Sequence, residues 1–133
     1  MQLKLTYDEI RDQDFGIPHV KKLTPAYIDN TTVSITAEVD FFISLSYKFQ
    51  LKVEQIIGTD LHLTCDDGLL KIAGMIPSFK EQLQKKADYI EIDGHSIVVC
   101  LSKIKQLDKV LEKVKPENVL FDTSGIIIDM KLK

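Results

Sequence analysis

The sequence predicts an α+β fold: a curled, mainly antiparallel sheet with long strand structure over 32–54 and two amphipathic helices. Three observations carry that prediction. Apolar and polar residues alternate without a break from Thr32 to Glu54, with every odd position from Val33 to Val53 apolar. Short alternating runs recur around Asp66-Asp67-Gly68, Asp93-Gly94 and Asp122-Thr123-Ser124-Gly125, the residue types that tight turns favour. Apolar residues take helical spacing at about 77–87 and again at about 103–115. With 133 residues, 44% of them hydrophobic and 28% charged, the chain reads as one ordinary globular domain, which excludes disordered, collagen-like and disulfide-scaffold classes.

Residues 1–30 read as an irregular N-terminal segment ahead of a sheet-and-helix body over 31–133. Leu3, Leu5 and Tyr7 alternate as a short strand does, and Gly16, Pro18 and Pro25 then punctuate a loop. Asn30-Thr31-Thr32 matches a glycosylation acceptor, but without an export signal it reads as a plain turn.

The long alternation is β structure with one wet face, and Phe42 is the one apolar residue at an even position. Fully extended, its 21 residues from Val33 to Val53 would reach roughly 70 Å. A compact chain of this size has a radius of gyration of about 14 Å. The run must therefore curl, or break into two strands near Asp40-Phe41-Phe42. No Gly, Pro or Asn lies between Thr31 and Ile57, so a tight hairpin lacks its turn residues there. That favours one long curled strand with Phe42 at a bulge.

Beyond Gly58 the rhythm changes. Leu61, Leu63 and Cys65 alternate up to Asp66-Asp67-Gly68, and Leu70 and Ile72 read as the returning strand. Pro77 and a capping box from Ser78 to Glu81 open a helix whose face is Phe79, Leu83 and Ala87. Ile90 and Ile92 lead through Asp93-Gly94 to Ile97, Val99 and Leu101. A second helix follows with Ile104, Leu107, Val110, Leu111 and Val114 on one face, ending at Lys115-Pro116. Ile126, Ile128, Met130 and Leu132 form the last strand, which brings the sheet to about five to eight strands.

Chemistry-bearing motifs are few. His62 and Cys65 stand three apart on a strand, so they project to opposite faces and share no metal; His95 and Cys100 fail likewise. His19 has no neighbour in sequence to work with. No phosphate loop, nucleophile elbow or zinc helix occurs, so neither a catalytic residue nor a cofactor or metal is expected. Cys65 and Cys100 lie in apolar stretches and read as core thiols of a reducing compartment. Lys105, Lys109 and Lys113 alternate with Asp108 and Glu112, which makes a solvated helix face. Arg11 is the sole arginine, which weighs against nucleic acid as a partner. No apolar run of transmembrane length exists, and charge interrupts the N-terminus at once, so a cytoplasmic location is expected.

What remains is apolar surface on a long one-sided strand. A sheet not fully covered by its helices leaves an apolar groove for a hydrophobic ligand such as a lipid, a function without catalysis. The alternative is a self-associating scaffold, a homodimer included, that uses an exposed sheet edge or face. From about Val33 to Leu132 the pattern resembles bacterial lipid-binding domains of the tubular-lipid-binding (TULIP-like) type. The resemblance rests on the alternation over 33–53, the units around Asp67-Gly68 and Asp93-Gly94, and the closing run from Gly125 to Leu132. It implies a curled sheet wrapped around a long helix, with an acyl chain in the channel. The residues it makes lining candidates are Phe41, Ile43, Leu45, Tyr47 and Phe49.

Overall fold

The computed structural model describes residues 1–12 and 16–133. In chain order these form β1 (Gln2–Thr6), α1 (Tyr7–Arg11), β2 (Val20–Asp29), β3 (Thr32–Asp40), β4 (Ser44–Ile57) and β5 (Asp60–Cys65). Two helices follow, α2 (Asp67–Met75) and α3 (Phe79–Lys86), then β6 (Ile90–Asp93) and β7 (Ser96–Cys100). A 3₁₀ turn leads into α4 (Lys105–Lys113), and β8 (Val114–Phe121) and β9 (Gly125–Leu132) close the chain. The fold is α+β, as expected. Its strands make two antiparallel sheets rather than one, a six-stranded sheet β2-β3-β4-β5-β7-β6 and a three-stranded sheet β1-β9-β8.

The long alternation is a hairpin, not a single strand. β3 and β4 pair with Val33 opposite Leu51, Ile35 opposite Phe49, Ala37 opposite Tyr47 and Val39 opposite Leu45. The chain reverses through Phe41, Phe42 and Ile43. A turn of odd length keeps odd residues opposite odd residues, so the alternation passes through the reversal unbroken. That is why the pattern reads as continuous.

Most of the described residues among 1–30 lie in regular elements. β1 pairs with β9, and β2 is a ten-residue edge strand against β3. Pro25 fits within β2 because an edge strand can lose an N–H at least cost. Asp66-Asp67-Gly68 starts a helix instead of a hairpin: Asp66 caps α2, its carboxylate accepting from Gly68 N at 3.1 Å. Leu69, Ile72 and Ile76 then face the core at helical spacing. The capping box expected at Ser78 does not form, since Ser78 is left-handed (φ 55°) and its side chain makes no cap bond. The box is found at Thr6 and Glu9, opening α1. Phe79, Leu83 and Ala87 are buried on and beside α3, as expected; on α4 Leu107 and Leu111 are buried, but Val110, expected on the same face, is exposed. α4 stops at Lys113, and Pro116 is accommodated beside a register shift in β8, another edge strand.

Ala37 and Val39 of β3, Phe49 of β4, Leu61, Leu63 and Cys65 of β5 and Ile97 of β7 are buried in the main core. α2 and α3 cover part of that face, and Val119, Ile126 and Ile128 of the small sheet join the same core. Tyr7, Val33 and Phe121 form a second cluster where the sheets meet. Helix α2 lies so close to β4 that a Cβ on Gly68 would collide with the Lys48 carbonyl. The even residues of β4 from Ser44 to Glu54 are exposed and polar, and beyond the register shift at Val53/Gln55 it is Ile56 that packs on the core.

Candidate functional site

Four of the five hairpins among the described residues turn by familiar chemistry. Asp29 accepts from Thr31 N at 2.9 Å in the β2–β3 turn. Gly58 (φ 63°) and Gly94 (φ 59°) supply left-handed backbone to the β4–β5 and β6–β7 turns. In the β8–β9 turn the Asp122 carboxylate accepts from Ser124 N and Gly125 N, both at 2.8 Å. The Ser124 backbone bond, followed by the Lys4 ammonium at 3.0 Å, holds the Asp122 carboxyl down at about 2.

The β3–β4 turn has no such device. Its three residues are Phe41, Phe42 and Ile43, joined by one bond from Phe41 N to Ile43 O at 3.3 Å. Asp40, which could have bonded the turn, is engaged by Lys21 at 3.3 Å. Phe42 stands at the apex fully exposed (106%), Ile43 is 64% exposed and Leu45 is 36% exposed. Leaving a phenylalanine in water forgoes the roughly 1.5–3 kcal/mol that burial would contribute.

The base of the tip is braced. His19 adopts a left-handed conformation (φ 70°) and stacks on Phe41, with ring centroids 4.7 Å apart. Asp40 N donates to His19 O at 2.8 Å, and His19 Nδ1 lies 3.0 Å from Asp40 O. An apolar apex therefore sits on a hydrogen-bonded collar. The sequence pattern flagged Phe42 but gave no hint of His19, which meets Phe41 only through the pairing of β2 with β3.

The five expected lining residues do not share one environment. Phe49 is buried beside Gly68 of α2, Tyr47 and Phe41 are partly buried, and Leu45 and Ile43 are exposed. Along one face of the hairpin, burial thus fades from base to apex. Two open concavities lie elsewhere. One of 360 Å³ is bounded by Lys80, Glu81, Leu83, Gln84 and Ile92, and the other, of 490 Å³, by residues from Ala73 to Glu81. The longest helices, α2 and α4, have nine residues each. The long wrapped helix that a tubular lipid-binding domain implies is not among the described elements.

Other titratable groups have structural roles. Cys65 is buried and free, and burial followed by the Asp66 charge pushes its thiol pKa up, which keeps it protonated and inert. Cys100 is free and half-buried, its Sγ 3.4 Å from Ser102 Oγ. His95 pairs with Asp67 at 2.8 Å on the surface, tying the β6–β7 turn to the start of α2. Among the described residues no cluster of three or more His, Cys, Asp or Glu could hold a metal ion, and no helix is long and apolar enough to cross a membrane. No protein-family model matches this chain, and no curated protein or solved structure is significantly similar to it.

Proposed function

We propose that this chain is a non-enzymatic binding module that engages lipid through the apolar tip of the β3–β4 hairpin. The supporting observation is the uncharged stretch from Phe41 to Tyr47, which carries Phe42 at its apex wholly in water. Hairpin formation does not call for this composition, as the short polar turn at Asp122 demonstrates. Phe42, Ile43 and Leu45 together expose roughly 300 Å² of apolar surface, taking ~200 Å² for a whole phenylalanine. That falls well short of the ~800 Å² per partner of a usual protein interface. A bilayer makes no such demand, because it accepts a convex apolar group of any outline. Burying ~300 Å² is worth about 7 kcal/mol before ordering and polar-group costs, which leaves a weak, reversible attachment. Further back along the hairpin Lys22 stands opposite Glu38, and Lys48 opposite Thr36.

The chain contains no tryptophan, so Phe42→Trp is a site-specific reporter. With vesicles of phosphatidylcholine and phosphatidylserine, its emission is expected to shift to the blue and to be quenched by brominated acyl chains. An unshifted spectrum, with the protein left behind when the vesicles float, rules the reading out.

A further inference from the structure

The geometry points to β1 as a self-pairing edge: two copies of this chain join their β1 strands antiparallel about a twofold axis at Leu3. The three-stranded sheet then becomes a six-stranded one. This surface is separate from the hairpin tip and does not depend on it. β1 ends its sheet, and four of its five residues are exposed. Met1 N donates to Met130 O at 3.2 Å, and Met130 N donates to Met1 O at 2.8 Å. Backbone groups alternate sides along a strand, so those of Met1, Leu3 and Leu5 face β9. Those of Gln2 and Lys4 face the free edge. Thr6 faces it too, but its N–H meets the Glu9 carboxylate at 3.4 Å and its side chain caps α1.

The edge lacks the usual protection. Its pairing with β9 has no bulge, and it contains no proline. Its one charge, Lys4, is held by Asp122 at 3.0 Å on the face opposite Leu3. Met1, Leu3 and Leu5 are 70%, 40% and 42% exposed, an apolar shelf beside Ile126 and Ile128, which pack on the core.

Chemistry selects the register. Outward-facing groups must meet outward-facing groups, which restricts the pairing to even residues against even residues. Gln2 against Gln2 forms only one bonded pair. Lys4 against Lys4 sets like charges face to face, and Lys4 against Thr6 runs into the α1 cap. Gln2 against Lys4 of the second copy avoids all three problems. It forms two backbone hydrogen bonds per pair, and symmetry makes the pair twice. Leu3 then meets Leu3 at the non-hydrogen-bonded position, where Cα atoms approach to about 4.5 Å, and Met1 meets Leu5 at either end. So short a ladder buries less than the ~1,200 Å² of a stable interface, which makes the dimer a weak one.

Sedimentation velocity over a concentration series on the full chain tests this. Lys4→Pro deletes an outward N–H while sparing the ladder to β9, and it is expected to weaken dimerisation at least tenfold, while Lys4→Ala leaves it near wild type. A second measurement stands if Lys4→Pro unfolds. In a Cys65→Ala, Cys100→Ser background, Leu3→Cys forms a disulfide-linked dimer under mild oxidation and Gln2→Cys does not. A wild-type monomer at every concentration, or equal cross-linking of the two cysteine variants, overturns the proposal.

Discussion

Two short turns join antiparallel strands in this molecule, three residues between paired ends at 41–43 and four at 122–125, and they are made of opposite materials. At 122–125 a carboxylate gathers the turn's own N–H groups, and the chain reverses with its polar groups satisfied locally. At 41–43 three apolar residues reverse the chain with one backbone bond across the turn. The first turn holds itself together. The second is held from its base, by the β3–β4 ladder, the buried Phe49 and the His19 collar. A turn supported from behind is free to carry side chains chosen for something other than turning. The difference therefore singles out the apolar tip, on which the proposed binding rests.

The contrast can be broken experimentally, and the largest effect belongs to the base. Phe49→Ala is expected to cost about 3–5 kcal/mol in denaturant unfolding, as a buried aromatic truncation does. A loss below ~1 kcal/mol would show that the hairpin is anchored elsewhere. Next comes the end of the polar turn. A Cβ on Gly125 would lie 2.9 Å from Thr6 Cα. Gly125→Ala is accordingly expected to cost about 1–3 kcal/mol by the same measurement.

A smaller effect separates the turns by pH. The Asp122 carboxyl is held at about 2, below its ordinary 3.8, by hydrogen bonds to its ionised form. A depressed carboxyl contributes stability that is present above pH 3.8 and is lost as the pH falls toward 2. Asp122→Asn should lower the thermal midpoint at neutral pH and flatten its decline through that acid window. No substitution at 41–43 should change the shape of that curve.

The smallest stability effect is expected at the apex itself. Phe42→Ser should leave unfolding within about 0.5 kcal/mol of wild type, since the ring touches water on every side. The same variant should lose vesicle co-flotation. A large destabilisation would mean that the ring is structural, and the contrast between the turns would collapse.

Much of the fold was legible in the residues. Asp93-Gly94 and Asp122-Thr123-Ser124-Gly125 mark real hairpins because their turns are built from local chemistry. Phe79, Leu83 and Ala87 mark a real helical face because the period is intrinsic to the helix. The failures share one cause. Gly68 and Asp66 look the same at a hairpin and at a helix start, and only the burial of Leu69, Ile72 and Ile76 distinguishes them. The reversal at 41–43 was hidden because its support comes from residues far away in sequence. β2 went unseen for the same reason, since Pro25 reads as loop until an edge position is available for it.

By itself the sequence determined which side of β3 and of most of β4 faces inward, because alternation is a property of the extended backbone and survives an odd-length turn. It also determined that the later hairpins turn at Asp and Gly, whose side chains and left-handed freedom act within a few residues. Only the tertiary structure decided where the long run reverses and which of its apolar residues are covered. Coverage depends on how far α2, α3 and the small sheet reach across the hairpin. They bury Phe49 at its base and leave Phe42 in water at its apex, although both rings belong to one apolar run.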